Sequence, residues 1–243
     1  MSAPPFRFVL LRPRNAENLG AAARALKNFG LADWVWVGHV PEDLTPARKL
    51  AVHAGDVLDG VRRVDTLEEA VADCVWVVGT SSRRVEGKRR LTPRQLAPEA
   101  IERAAGGPVA IVFGDERSGM TNEEIWRCHD LSSVPTAPEQ PSINLAQSVL
   151  LYAYELRLAA LEHPTGPSTL PAPATAEALA GLESSLAGVL RSAGFLVHEG
   201  RHGLRDLMAP LRRSRLTRKE TALWTAALQH VKRTLSRHTG DRP

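Results

Sequence analysis

The sequence predicts an α/β fold, a parallel sheet with helices on both faces, followed by a small all-helical domain. Three observations carry this. Short apolar runs alternate with helical segments across residues 6–161, the pattern of βα units. The run Val109-Ala110-Ile111-Val112-Phe113 is apolar at every position, as a central strand covered on both faces must be. Beyond residue 175 only the helical period remains.

Phe6 to Leu11 reads as the first strand, ending at Arg12-Pro13. Asn18 is placed to cap a helix from Ala21 to Phe29, and Gly30 to end it in a left-handed turn. Trp34 to Val37 is the second strand. A short helix follows at Ala47 to Val52. Thr66-Leu67-Glu68-Glu69 has the capping-box spacing and starts a helix to Asp73. Val75 to Val78 is the third strand, running into Gly79-Thr80-Ser81-Ser82. Then comes a basic loop in which Arg83, Arg84, Lys88, Arg89 and Arg90 face only Glu86. A helix covers Arg94 to Ala104, and Thr121-Asn122-Glu123-Glu124 opens another that reaches Cys128. Leu131 to Val134 is the last strand. Ile143 to Leu161 is a helix, fed by the proline-studded turn Pro135 to Pro141.

Residues 163–175 hold Pro164, Pro167, Pro171 and Pro173 among small polar residues, a semi-stiff linker. The expected organisation is therefore a domain at 1–162, a linker at 163–175 and a helical domain at 176–243. In the last, Leu179, Leu182, Leu186, Val189, Leu190 and Ala193 share one face. Leu204, Leu207, Met208 and Leu211 mark a second helix. Thr217-Arg218-Lys219-Glu220 caps a third, whose Leu223, Leu228, Val231 and Leu235 are expected to point inward.

The chain carries a net charge of +4. From Arg201 onward there are eleven Lys/Arg against three Asp/Glu, while the first 200 residues are slightly acidic. A basic end on an acidic body suits a polyanionic partner, or is simply a solvated helical face. No membrane-length apolar run and no signal-like start occur, so the expected location is the cytoplasm. Cys74 and Cys128 lie far apart, without CxxC spacing. They read as buried free thiols rather than zinc ligands or a disulfide.

Ligands of parallel sheets bind beyond the carboxyl ends of the strands. Here those ends are Gly79-Thr80-Ser81, Gly114-Asp115-Glu116 and Val134 with its loop. Gly114 to Gly119 lacks the lysine of a phosphate loop, and the acidic pair Asp115-Glu116 favours a ligand with positive charge or hydroxyl donors. Asn18 to Arg24, Gly114 to Gly119 and Pro141 to Gln147 are expected to meet in one site. Each taken alone also reads as ordinary structure: an alanine-rich helix with a solvated arginine, a tight glycine turn, a helix cap. The basic loop fits a phosphate clamp or plain solubility.

Taken together, NLGAAARALKNFGL (18–31), IVFGDERSGMTNEEI (111–125) and VPTAPEQPSINLAQSVLLYAYE (134–155) resemble, in order and spacing, the three motifs of the SPOUT RNA ribose 2′-O-methyltransferases. Within that superfamily they are most similar to the TrmJ group, which modifies tRNA at nucleotide 32. The resemblance covers nearly the whole chain. It implies a trefoil knot at the C-terminal part of the sheet, S-adenosylmethionine as cofactor, tRNA as substrate and a homodimer as the working form, with no metal and no membrane. By position it assigns cofactor contacts to Thr80, Ser81, Ser82, Gly114, Val134, Pro141, Ser142 and Ile143. It assigns the reaction to Arg24, Asn18, Glu116, Ser142 and Asn144. Arg24 matches the residue proposed as base, although arginine rarely gives up its proton. RNA contacts are expected from the basic loop and from Arg212, Arg213 and Arg215.

Overall fold

The computed structural model describes residues 5–162, 171–196 and 201–239. The chain divides into two compact units at Ser168/Thr169. The expected linker is described only from residue 171; residues 163–170 lie outside the described residues.

In the first unit the order is β1 (Phe6–Leu11), α1 (Ala16–Asn28), β2 (Trp34–Val37), α2 (Thr45–Ala51), α3 (Gly55–Asp59), β3 (Arg62–Val64), α4 (Leu67–Val71), β4 (Trp76–Thr80), β5 (Arg90–Leu91), α5 (Pro93–Ala104), β6 (Val109–Phe113), α6 (Asn122–Arg127), β7 (Asp130–Ser132) and α7 (Leu145–Glu162). The strands form one sheet in the order β3-β2-β1-β6-β4-β7-β5. Every pairing is parallel, so all carboxyl ends lie on one edge. β1 and β6 are buried along their whole length; β6 is apolar throughout, and β1 is apolar but for Arg7, whose buried guanidinium is paired with Asp33 and Asp73. β7 is inserted between β4 and β5, both of which precede it in sequence. That order is consistent with the threading of a trefoil knot.

Several elements differ from the sequence expectation. Asn18 does not cap α1. Asn15 does, its side chain accepting from the Glu17 N–H at 2.8 Å, so the helix starts five residues earlier than expected. α3, β3 and β5 are absent from the reading because each has five residues or fewer and β3 and β5 are largely exposed, giving no hydrophobic period to detect. The last strand is Asp130–Ser132, which leaves Val134 in the following loop. Asp130 escapes a hydrophobic reading because its burial rests on polar partners, Trp76 Nε1 at 2.9 Å and the Arg89 guanidinium at 2.8 Å. Thr92 and Gln95 form a capping box for α5, and Thr121 and Glu124 one for α6.

Both cysteines are buried, and neither is in a disulfide. Burial pushes the Cys74 thiol up to about 12, partly offset by the nearby Arg7 guanidinium. Gly20 lets α2 approach α1 closely. A Cβ on Gly20 would stand 2.0 Å from the Ala47 carbonyl oxygen.

The second unit holds α8 (Ala176–Ser192), α9 (Arg201–Arg213) and α10 (Arg218–Thr239). Its start is tied to the α9–α10 turn by Ala174 N–H to Leu216 O at 2.8 Å and Arg218 N–H to Ala172 O at 2.9 Å. Leu179, Leu182 and Met208 are buried as expected. Leu223 and Val231 are not: they are 71% and 43% exposed. Thr221 is buried and Thr225 and Leu228 are half-buried along α10, and the Lys232 stem lies close to Gly188 of α8. Only part of the expected apolar stripe of α10, Leu228 and Leu235, is thus even half-buried.

Candidate active site

Three loops leave the carboxyl edge of the sheet side by side. The first continues β4 through Thr80, Ser81 and Ser82. Its Ser81 N–H donates to Ser132 O at 2.9 Å, bonding it to the end of β7. The second leaves β6 at Gly114 and doubles back at Gly119, with Asp115 and Gly119 exchanging backbone hydrogen bonds of 3.2 and 2.8 Å. Glycine is favoured at both ends of this hairpin, for different reasons. A Cβ on Gly114 would lie 2.4 Å from the Gly119 carbonyl carbon, and Gly119 has φ +68°. The third runs from Ser133 through Pro141, Ser142 and Ile143 into α7.

Asp115 organises the hairpin. It is 3% exposed. One carboxylate oxygen accepts from Arg117 N–H (2.8 Å), Ser118 N–H (2.9 Å) and the Ser118 hydroxyl (3.1 Å). The other accepts from Arg14 Nε at 2.6 Å. Burial alone would raise its pKa. The Ser118 N–H, the Arg14 guanidinium and the Arg117 N–H outweigh it and hold the carboxyl at about 2. The acidic pair therefore does not face a ligand as two free charges: Asp115 is consumed inside the loop.

Glu116 joins the hairpin to α1. Its carboxylate accepts from the N–H groups of Arg14 (2.9 Å) and Asn15 (3.3 Å), at the positive end of the helix, and from Asn18 Nδ2 at 3.4 Å. Asn18 Oδ1 in turn accepts from Asn144 Nδ2 at 2.9 Å. Asn144 Oδ1 accepts from the N–H groups of Ala146 (2.9 Å) and Gln147 (3.3 Å) at the start of α7. One polar chain, Glu116–Asn18–Asn144, thus links segments 98 and 126 residues apart. Asn144 both caps its helix and faces Asn18, so the two readings of that position hold together.

These loops enclose an open cavity of about 1330 Å³. Thr80, Ser81, Ser82, Gly114, Val134, Pro141, Ser142 and Ile143, the residues expected to hold a cofactor, all line it. So do Asn18, Glu116 and Asn144. Residues 5–154, which contain every one of these groups, match the model of the SpoU rRNA Methylase family. The chain belongs to the SpoU methylase family.

The chain is 42% identical over 154 residues to the tRNA (cytidine/uridine-2′-O-)-methyltransferase TrmJ of Escherichia coli strain K12. The match spans 63% of this chain and 63% of that protein's length. Among solved structures, TrmJ from Z. mobilis ZM4 superposes with a TM-score of 0.75 at 33% identity, over 95% of this chain and 98% of that one. A probable methylase family protein from Haemophilus influenzae gives a TM-score of 0.62 at 32% identity, over 96% and 97% of the two chains.

In this SpoU methylase, Arg24 stands apart from the other expected reaction groups. It is exposed on α1, makes no hydrogen bond or ion pair among the described residues, and does not line the cavity. Six residues after Asn18, it points about 120° round the helix from it. In the basic loop, most cations are engaged in building the wall. Arg83 donates to Asn122 Oδ1 at 3.1 Å and to the Met120 carbonyl. Arg90 binds Ser133 Oγ (2.7 Å) and the carbonyls of Ser82 (2.9 Å) and Arg83 (3.1 Å). Lys88 reaches the Cys128 carbonyl and lies over the Trp126 ring. Arg89 is held by Asp130 and Glu99. Arg84 lines the cavity, exposed, with no such bond among the described residues. In the helical unit, Arg212 is paired with Glu183 at 2.5 Å, its side chain 10% exposed, while Arg213 and Arg215 are exposed.

Sequence reasoning missed Arg14 and Asn15, and took Asp115 for a ligand-facing charge rather than the closure of its own loop. The signal for Asp115 was present: an Asp followed by Ser and Gly within four residues is the pattern of a side-chain-closed turn. Arg12 was missed as well. It leaves β1 with φ +48° and is clamped by Glu124 at 2.5 and 3.1 Å, which aims Arg14 and Asn15 at the hairpin. Burial would raise the Glu124 carboxyl. Arg12 and the Thr121 N–H together hold it below the usual range instead.

Proposed function

We propose that this chain is an S-adenosylmethionine-dependent ribose 2′-O-methyltransferase acting on cytidine or uridine at position 32 of the tRNA anticodon loop, in the cytoplasm and as a homodimer. The observation that carries the reading is the Glu116–Asn18–Asn144 chain in the lining of a cavity walled by three sheet-edge loops. The similarity to TrmJ proteins supports the choice of tRNA. Among the described residues no helix is long and apolar enough to cross a membrane.

The cavity fits such a cofactor beside a nucleotide. Its volume exceeds that of a usual single-ligand pocket. Phe113, Leu131 and Leu145 offer apolar surface for a purine. Thr80, Ser81 and the backbone at Gly114 and Ile143 offer polar contacts. When bound, S-adenosylmethionine supplies a methyl group activated by its sulfonium charge. A ribose hydroxyl is a weak nucleophile, so the chain must align it and let its proton leave. Asn18 and Asn144, each held by a neighbour, present fixed polar groups to the ribose, with exposed Ser142 beside them. Glu116 adds a negative charge that favours a cationic centre nearby.

Arginine holds its proton too tightly to be a ready base. Arg24 is therefore assigned to gripping the phosphate beside the reacting ribose. Because it lies off its own cavity, it does so in a site completed by a second copy. The exposed Leu150, Leu151 and Tyr154 of α7 support this. Large apolar side chains clustered on the solvent side of a helix mark a face that another surface covers.

The test is methyl transfer from labelled S-adenosylmethionine to bulk tRNA, followed by mapping of the modified nucleotide. Label in tRNA but elsewhere than position 32 would sink the positional assignment. Label in ribosomal RNA alone would favour the second substrate class, which the family's own description suggests.

A further inference from the structure

Tyr152 is a buried titratable residue that the proposed reaction does not use. It is 1% exposed, yet its side chain reaches the cavity wall. Its hydroxyl donates to Ser132 Oγ at 2.8 Å, and the Ser132 hydroxyl donates onward to Leu91 O at 2.9 Å. Burial pushes the phenol well above its usual range, so it stays a neutral donor.

The position of this bond matters more than its strength. Ser132 is paired with Thr80 on one side and Leu91 on the other. Its carbonyl accepts from Ser81 N–H. Tyr152 is therefore one residue removed from the first loop. Its ring stands edge-on to Phe113, with centroids 5.5 Å apart, and Phe113 immediately precedes Gly114 of the second loop. Its own helix begins directly after Ser142, Ile143 and Asn144 of the third. One buried side chain thus touches the strand ends that carry or bond the first two loops, at Ser132 and Phe113, and belongs to the helix that the third loop enters.

We propose that Tyr152 is a positioning residue for the cofactor: it holds the three loops in register, through its hydroxyl to Ser132 and its ring to Phe113, and so sets cofactor affinity without touching the transferred group. This rests on the reading of the cavity as an S-adenosylmethionine site. A ring that only filled space would make the hydroxyl dispensable. A registering role makes it necessary, because Phe113 packing alone leaves β7 and the first loop free to slide against α7.

The experiment uses the full chain and three variants. Tyr152→Phe keeps the ring and removes the donor. Ser132→Ala removes the acceptor. Val149→Ala opens a void one turn earlier in α7, at a fully buried side chain that does not line the cavity. Calorimetry with S-adenosylmethionine well below the melting temperature gives the affinity, and tRNA methylation gives kcat and KM. Tyr152→Phe is expected to weaken cofactor binding about five- to tenfold, the effect of one buried hydrogen bond. Its kcat at saturating cofactor and its KM for tRNA should stay within about twofold of the unaltered chain. Ser132→Ala should weaken cofactor binding at least as much, and the double variant no more than Ser132→Ala, since both remove the same bond. Val149→Ala should melt earlier with unchanged cofactor affinity. Equal affinity of Tyr152→Phe and the unaltered chain would overturn the proposal. So would a loss of affinity that tracks melting temperature equally in Tyr152→Phe and Val149→Ala. No binding by the unaltered chain would instead defeat the cofactor reading of the cavity, and this inference with it.

Discussion

Replacing Asp115 by Asn tests what holds the second loop. Asn keeps an oxygen for the Arg117 and Ser118 N–H groups but loses the charge that pairs with Arg14. The carboxyl sits at about 2 instead of 3.8. At about 1.4 kcal/mol per pH unit that difference is worth roughly 2.4 kcal/mol. The Arg14 side chain is 57% exposed, and solvent screening reduces the contribution to about 1–2 kcal/mol. The sign follows from linkage. A carboxyl depressed by folding stabilises fully above its unfolded pKa, near 4, and the contribution fades as pH falls toward the folded value, about 2. Urea denaturation of the unaltered chain and of Asp115→Asn, from pH 7 down to pH 3, is the assay. The two should differ by about 1–2 kcal/mol at pH 5–7, and the gap should shrink below pH 4. Other carboxylates, Glu99 among them, also protonate there, but they cancel in the difference. A gap that stays constant to pH 3 would refute the charge argument and leave only the shape of the turn.

Three further outcomes are expected. Gly114→Ala should destabilise the first unit by about 1–3 kcal/mol, because a Cβ meets hairpin backbone rather than a yielding side chain; unchanged melting and cofactor affinity would show that the hairpin can open at no cost. Arg24→Ala should abolish methyl transfer while keeping cofactor affinity, as a residue off the cavity must; a parallel loss of binding by calorimetry would place it in the wrong role. Arg213→Ala with Arg215→Ala should flatten the salt dependence of tRNA binding by about two in slope, whereas Arg212→Ala should mainly lower the melting temperature, since Arg212 is spent on Glu183. A salt slope identical to that of the unaltered chain would reduce that face to solvation.

Much of the fold is legible in the chain because its strands are self-announcing. Trp34–Val37 and Val109–Phe113 are apolar at every position and Phe6–Leu11 at every position but Arg7, and burial on both faces is what a central parallel strand demands. The short elements at the edges, β3 and β5, carry no such signature: Arg62, Arg63 and Arg90 are exposed and say nothing of pairing. The inward face of α10 also misled. Leucine spacing shows that a stripe exists but not which neighbour covers it, and Leu223 and Val231 face solvent.

The sequence by itself determined the residue types of the site and the segments that carry them: Asn18, Glu116, Ser142 and Asn144, with glycine at Gly114 and Gly119. Local chemistry suffices for this, since turns, caps and missing side chains are properties of a few consecutive residues. Only the tertiary structure decided how those residues divide their work. Asp115 and Glu116 are adjacent acids, yet one is locked inside a hairpin by Arg14 while the other bridges to α1. The cations of the basic loop look alike in sequence, but carbonyls and carboxylates brought near by β7 and α6 claim Arg83, Lys88, Arg89 and Arg90 and leave Arg84 toward the cavity. Tyr152, one apolar position among many along α7, gains its place because Ser132 and Phe113 arrive from other strands. Hydrogen bonds of this kind link residues tens of positions apart, and no local pattern encodes which of several equivalent groups will be the one within reach.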